Sequence, residues 1–193
     1  MAPEYLFVVR HGATEANVKG IDAGPLDYPL TKKAVKQASF IAKTLSGIKM
    51  GAVYSSPVFR AVETAEILAR PHELKVRELE ELTEAKLKPK FVGKKGRHHI
   101  LTTPDAFSET NEQLLERTTE AIEIIRKESD GNVIAVSHGD VITAMLERVV
   151  ERKVSDEKYY VLHPNPGALS VINIKDRPFL VLYNYRRKMF AEF

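Results

Sequence analysis

Arg10-His11-Gly12 and Ser137-His138-Gly139 each place an imidazole and a glycine directly behind a short apolar run, and Arg60 follows a third such run. Arginine's planar fork can grip two oxygens of one oxyanion, and glycine amides or helix starts add N–H donors. Together these types make a site suited to phosphate. An imidazole held beside phosphate can attack phosphorus through its free nitrogen when a nearby acceptor fixes the proton on the other. A second, cationic imidazole would neutralise charge on the transferring group, the electrostatic contribution on which phosphoryl transfer depends most. The departing alkoxide needs a proton, and a carboxyl whose pKa is raised by burial or by the phosphate itself is the expected donor. Glu78, Glu80, Glu81 and Glu84 form a suitable cluster, and spacing alone does not choose among them. A lone histidine at a strand end is more often a hydrogen-bonded structural group, and a lone arginine a surface charge. The weight therefore rests on the four residues together.

The rest of the composition removes competing chemistries. With no cysteine in the chain, disulfide scaffolds, thiolate zinc sites, iron-sulfur clusters and cysteine nucleophiles are excluded. No Gly-x-x-x-x-Gly-Lys-Ser/Thr loop is present, so the P-loop route lacks its reacting groups. The paired His-x-Thr/Ser motifs of two-histidine RNA phosphoesterases are also missing, since the sequence reads His11-Gly-Ala and His138-Gly-Asp. No metal-ligand set is recognisable by spacing, so no metal is expected. The formal charge is 29 − 26 = +3, with a pI of about 9.0. That balance suits a nucleic-acid binder or an enzyme for anionic small molecules; the histidine pair disfavours the first. No apolar run approaches the roughly 20 residues that cross a bilayer, and the first residues do not resemble a secretory leader. A cytoplasmic location is expected, with no membrane partner.

A length of 193 residues with 44% hydrophobic and 28% charged content predicts one globular domain over 1–193. Tyr5 to Val9 reads as a buried strand, followed by a polar loop to about Leu30. Thr31 is placed as an N-cap for a helix carrying Ala34, Ala38, Ile41 and Leu45, with Gly47 as its stop. Met50 to Tyr54 reads as a second strand, after which Ser56 and Pro57 supply a cap and a first-turn proline for a helix holding Val58, Ala61, Ala65 and Leu68 inward. Residues 74–82 are ambiguous, and 85–104 irregular. Ser108 to about Glu128 is a long amphipathic helix in which Thr110 and Gln113 can form a capping box. Asn132 to Val136 is a strand and Asp140 to Val150 a helix, while Ala168 to Ile174 and Phe179 to Tyr185 are expected to pair as a hairpin around Asp176-Arg177-Pro178.

Strands alternating with helices imply a three-layer α/β sandwich, with a mostly parallel central sheet covered on both faces. Ligands then bind beyond the carboxyl ends of the strands. Those ends hold Arg10 and His11, then Ser55, Ser56 and Arg60, then His138 and Gly139, so backbone amides of Gly12 and Gly139 are expected beside the anion.

Four blocks also carry a resemblance: Phe7-Val-Val-Arg-His-Gly-Ala-Thr-Glu-Ala-Asn17; Pro29-Leu-Thr31 with Gln37-Ala38; Ser55-Ser-Pro-Val-Phe-Arg60-Ala with Thr64-Ala65; and Val136-Ser-His-Gly-Asp140. In that order they resemble the histidine phosphatase superfamily, also called the phosphoglycerate mutase-like family. The resemblance implies that His11 accepts the phosphoryl group, that Arg10, Arg60 and His138 surround it, and that Asn17 contacts phosphate. It also points to Glu84, in Leu82-Thr83-Glu84, as proton donor, with Glu81 the rival. The glycine and tryptophan usual after the acid are missing here, Ala85-Lys-Leu-Lys-Pro-Lys90 filling the interval. Ser108-Glu109-Thr110 stands where many members show Gly-Glu-Ser, which makes Glu109 a candidate pocket residue. Thr64 is expected to orient or pack, and His72, His98, His99 and His163 to be surface or loop residues.

Six cations between Lys86 and Arg97, with no acid from Ala85 to Pro104, form the strongest charge asymmetry in the chain. They are either a solvated flap or an overhang that attracts polyanionic substrate. The expected activity is metal-independent hydrolysis of small phosphorylated metabolites through a phosphohistidine. The alternative is a phosphoglycerate mutase, for which 2,3-bisphosphoglycerate would be the cofactor. The short interval from Ala85 to Ser137 favours hydrolysis. Oligomerisation through the C-terminal strand pair is possible.

Overall fold

The computed structural model describes residues 3–96, 98–100, 102–149, 163–175 and 178–186. Arg97, Val150 and the Asp176-Arg177 turn lie outside those residues. In chain order the elements are β1 (Tyr5–Arg10), α1 (Glu15–Lys19), α2 (Lys32–Leu45), β2 (Met50–Ser55), α3 (Phe59–Ala69), β3 (Val76–Glu78), α4 (Asn111–Glu128), β4 (Asn132–Ser137), α5 (Gly139–Val149), β5 (Leu169–Asn173) and β6 (Phe179–Tyr185).

The six strands form one sheet in the order β3-β2-β4-β1-β5-β6. β1, β2, β3 and β4 pair in parallel. β5 runs antiparallel to both β1 and β6, so the expected C-terminal hairpin pairing is present. The three-layer, mostly parallel architecture follows from strand burial on both faces. Along β1, Leu6 and Val8 pack into one core and Phe7 and Val9 into the other; along β4, Val133 and Ala135 oppose Ile134 and Val136 in the same way. The first core is closed by Leu114, Ala121 and Ile125 of α4 and by Ile142, Met145 and Leu146 of α5. The second is closed by Ala34, Ala38, Ile41 and Leu45 of α2 and by Ala61, Ala65 and Leu68 of α3. Near-continuous apolar strands are what such double coverage demands.

Helix starts decide where polar side chains emerge. Thr31 caps α2 through the Ala34 amide, and Thr110 with Gln113 forms the expected capping box of α4. α3 departs from expectation. It begins at Phe59 behind Val58, whose apolar side chain makes no cap bond; the Ser56 hydroxyl accepts from the Val58 amide at 3.3 Å and from His138 Nε2 at 2.8 Å. The stretch read as loop between Arg10 and Leu30 contains α1, capped by a box between Thr14 and Asn17. Residues 76–78 resolve as β3, which takes the edge beside β2. The opposite edge, β6, exposes Phe179, Val181, Leu182 and Tyr185. No helix among the described residues is long and apolar enough to cross a membrane.

Gly51 marks the register shift between β2 and β4. A Cβ built there falls 1.4 Å from the Asp130 carbonyl oxygen, whereas one at Gly47 meets nothing within 4 Å. Gly51→Ala is therefore expected to destabilise by about 1–3 kcal/mol, as forced overpacking does, and Gly47→Ala by less than about 0.5 kcal/mol. Urea unfolding of the two variants should show that order; equal midpoints would mean the strand start relaxes freely.

Candidate active site

Strand order brings the chemistry together. β4 lies between β2 and β1, and the ladder continues past the strand ends: His11 N–H donates to Ser137 O at 2.9 Å, and Ser56 N–H to Val136 O at 2.9 Å. His11, Ser56 and His138 thus leave adjacent strands at one level. The two imidazole rings stand 5.1 Å apart, tilted by 60°, and both are buried.

Arg60, from the first turn of α3, threads between them. Its Nε–H donates to His11 Nε2 at 3.2 Å and its terminal Nη2 lies 3.3 Å from His138 Nδ1. Nη1 donates to Gly24 O at 3.1 Å. These bonds fix both tautomers. His11 keeps its proton on Nδ1, donated to Gly12 O at 2.8 Å, so Nε2 carries the lone pair. His138 donates from Nε2 to Ser56 Oγ at 2.8 Å, leaving Nδ1 as the acceptor. Burial, and then the charges of Arg60 and Arg10, hold the His11 pKa well below its ordinary value; burial and Arg60 do the same for His138. Both shifts favour the neutral ring.

A cavity of about 320 Å³ opens beside this group, and Arg10, His11, Asn17, Arg60 and Glu84 line it. Arg10 Nη1 donates to His163 Nε2 at 2.8 Å and to Pro164 O at 2.7 Å. Of the four glutamates, Glu84 reaches the cavity and Glu81 does not. Glu84 Oε2 is 3.6 Å from His138 Nδ1, while Oε1 accepts the Ala85 amide at 3.1 Å. Burial, then the charge of Asp140, raises the Glu84 pKa to about 7, against the opposing pull of Arg60, Arg10 and the amide. This carboxyl can both release and recover a proton near neutral pH.

The loop carrying Glu84 is braced chiefly by Arg117, a residue the sequence did not single out. Arg117 on α4 donates to the Glu81 and Thr83 carbonyls at 2.8 Å each and makes a two-pronged ion pair with Glu109 at 2.9 Å. Glu109 in turn accepts the Lys86 amide. Glu109 is thus a brace, not a lining residue. Ser137 Oγ adds a bond to Leu82 O at 2.7 Å.

Other expectations need correction. The Gly12 amide is not offered to an anion, because it donates to Thr64 Oγ1 at 3.0 Å; its glycine serves α2, since a Cβ would sit 2.9 Å from Ala34 Cβ. Gly139 starts α5 at the site, and a Cβ there would sit 2.1 Å from the His163 ring, so glycine lets that ring approach. Asn17 reaches the cavity, yet its Oδ1 accepts from Thr14 N and Oγ1 at 3.0 and 3.1 Å; what remains for an anion is its Nδ2 donor. His98, His99 and His163 lie in loops, as expected, and are partly buried there as part of the cavity wall. The basic segment flanks the cavity, but none of its described cations lines it; it contributes Leu87 to the wall, while Lys88 is tied to Asp105 O.

A family model described as histidine phosphatase superfamily (branch 1) matches residues 6–185. The chain belongs to this superfamily. It is 31% identical over 186 residues to a 2,3-bisphosphoglycerate-dependent phosphoglycerate mutase of Thermoplasma acidophilum, covering 91% of this chain and 90% of that protein. It is 26% identical over 197 residues to an adenosylcobalamin/alpha-ribazole phosphatase of Escherichia coli, covering 89% and 91%. Among solved structures, Bacillus stearothermophilus YhfR superposes with a TM-score of 0.80 at 23% identity, covering 93% and 96% of the two chains, which supports the fold. Relatives of this histidine phosphatase superfamily chain thus include both phosphatases and mutases.

Thr64 ties the first block of this superfamily chain to the third. Its hydroxyl accepts from Gly12 N–H and donates to Arg60 O at 2.7 Å. Thr64→Val keeps the shape and orphans the Gly12 amide, so a loss of about 1–3 kcal/mol in unfolding free energy is expected. Thr64→Ser should recover most of it. Denaturant melts that place valine level with threonine would remove Thr64 as the link.

Proposed function

We propose that this protein is a metal-independent phosphomonoester hydrolase that works through a phosphohistidine on His11. The observation that carries the reading is the Arg60 guanidinium bonded to His11 Nε2 and lying against His138 Nδ1 in one cavity with Glu84. Incoming phosphate displaces those contacts. Arg60 and Arg10 then donate to its oxygens, Asn17 Nδ2 and the start of α5 at Gly139 add neutral donors, and His11 Nε2 is released toward phosphorus.

In the first step the Nε2 lone pair forms a bond to phosphorus as the bond to the ester oxygen breaks. The Glu84 proton passes to that oxygen, and an alcohol leaves. Developing charge on the equatorial oxygens is met by the arginines and by His138, whose proton affinity rises once the dianion is bound. In the second step the Glu84 carboxylate takes a proton from water, the hydroxide oxygen bonds to phosphorus, and the P–N bond breaks. His11 and protonated Glu84 are restored.

The charge of the cavity favours hydrolysis of a monophosphate over the mutase alternative. Among the described lining residues the arginines and lysines are Arg10 and Arg60 alone, and the carboxyl groups are Asp22, Glu84 and Asp140, with imidazoles and apolar groups beside them. A bisphosphate would bring a second phosphoryl group into a cavity whose described lining offers it no further arginine or lysine. The short interval from Ala85 to Ser137 does not discriminate, because the Thermoplasma mutase is covered over 90% of its own length. Phosphate release from a panel of phosphomonoesters, beside interconversion of phosphoglycerate isomers with and without 2,3-bisphosphoglycerate, separates the two; dominant interconversion overturns the hydrolase reading.

His11→Ala should abolish both turnover and trapping of labelled phosphate on the protein, and retained trapping would contradict the assignment. Glu84→Gln should lower kcat/KM by about 10²–10⁴-fold on alkyl phosphates, and by much less on p-nitrophenyl phosphate, whose leaving group departs without a proton, while kcat falls on both because the second step is shared. Because Glu84 is raised in the folded protein to about 7, its donating form is complete well below that pH and is lost as pH rises through it. The kcat/KM for alkyl phosphates should therefore fall about tenfold per pH unit above 7. A flat profile to pH 9 in the wild type would remove Glu84 as the donor.

A further inference from the structure

His99, Asp140 and His163 come from three separate parts of the chain: the stretch after the basic segment, the first turn of α5 and the approach to β5. Each offers a ligand atom, and the three atoms lie within 4.8 Å of one another at the cavity wall. His99 Nδ1 stands 3.5 Å from Asp140 Oδ1, and the His99 and His163 rings meet edge-on with centroids 4.5 Å apart. Tetrahedral zinc, with nitrogen and oxygen ligands at about 2.0–2.2 Å, places neighbouring ligand atoms roughly 3.3–3.6 Å apart. The His99 and Asp140 atoms already have that spacing. Bringing in the third takes a shift of about 1 Å, within reach of small side-chain torsions.

We propose that His99, Asp140 and His163 form an inhibitory site for a divalent transition-metal ion of the zinc class at the wall of the catalytic cavity. Two imidazoles and one carboxylate suit zinc better than the hard cations magnesium and calcium, which prefer an all-oxygen shell. Only three protein ligands are supplied, so the fourth position belongs to water or to an oxygen of whatever occupies the cavity. None of the three is among the residues that carry the proposed phosphoryl transfer.

Inhibition follows from the lone pair of one ring. Arg10 Nη1 donates to His163 Nε2, which fixes the His163 proton on Nδ1. Ligation through Nε2 displaces Arg10 directly. Ligation through Nδ1 moves the proton to Nε2, where Arg10 can no longer donate. Either way the Arg10–His163 bond is broken, Pro164 O is left to hold that nitrogen, and a cation that competes for the phosphate oxygens is installed beside the guanidinium that the hydrolase reading assigns to phosphate.

The test uses EDTA-stripped full-length protein and Zn²⁺ as the probe. Calorimetry should show one ion bound per chain in the wild type and equally in His11→Ala, with affinity at least about tenfold weaker in His99→Ala. Hydrolysis of p-nitrophenyl phosphate should fall over the same Zn²⁺ range and return with excess EDTA. The midpoint of inhibition, scaled to each variant's own metal-free rate, should move up by the same tenfold in His99→Ala. Wild-type affinity in His99→Ala, or loss of binding in His11→Ala, overturns the site, the latter by placing the ion on the His11 and His138 pair. Binding that leaves the rate unchanged overturns the inhibition. The inhibition rests on the hydrolase reading, but the calorimetry does not: a protein that binds Zn²⁺ as described and hydrolyses nothing would fail that reading alone.

Discussion

A buried guanidinium held between two neutral imidazoles is the constraint from which the rest of this site follows. Arg60 is 3% exposed, and its Nε and Nη2 face the ring nitrogens of His11 and His138 and not a carboxylate. A charge taken out of water is costly unless paired and fully hydrogen-bonded. Here two carbonyl contacts and two imidazole contacts engage its donors without cancelling its charge, and the hydrolase reading gives that charge a tetrahedral dianion as its partner. Burial and, after it, the same charge hold both rings toward the unprotonated form that a nitrogen nucleophile needs.

The fold's contribution is to hold that arrangement against its own repulsion. The rings are fixed from behind, His11 through Gly12 O and His138 through Ser56 Oγ. Arg60 is fixed through its own carbonyl by Thr64. The parallel order β2-β4-β1 sets the three strand ends side by side. Outside this core, the Arg117–Glu109 pair and Ser137 anchor the loop on both sides of Glu84, so bonds to the surrounding backbone deliver the carboxyl and the Ala85 amide orients it.

Much of this was legible in the sequence, for a physical reason. In a parallel α/β sheet the residues directly behind each apolar run must emerge at the same edge, so Arg10, His11, Arg60 and His138 announce themselves by position in the chain. What stayed hidden depends on pairings with no local signal. Ser56 reads as a helix cap because Pro57 follows it, yet its hydroxyl makes its shorter bond as the acceptor for the His138 Nε2–H, which comes from a different strand. Gly12 reads as an anion donor until Thr64, 52 residues later, takes its amide. His99 and His163 look like loop histidines because nothing in either segment reveals that Asp140 and Arg10 stand opposite. Arg117 lies on the polar side of an amphipathic pattern, where an arginine that props a loop and one that faces solvent are indistinguishable.

Glu84 shows how the opposing contributions are balanced. Burial and Asp140 push its proton affinity up; Arg60, Arg10 and the Ala85 amide pull it down. In the proposed cycle the carboxyl must be an acid in the first step and a base in the second, so neither side can dominate. A carboxyl raised by burial alone would stay protonated and fail to activate water. One paired closely with an arginine would be ionised and unable to protonate a leaving alkoxide. Each unit of pKa corresponds to about 1.4 kcal/mol, so moving the carboxyl two or three units in either direction would cost one half-reaction roughly as much as general acid–base catalysis supplies. The arginines that the proposal assigns to phosphate also keep the carboxyl ionisable, and in the proposed cycle, once a phosphoryl group on His11 draws their charge, the carboxylate beside it is less well compensated. It is then most ready to take a proton from water, at the moment the phosphoenzyme needs to be hydrolysed.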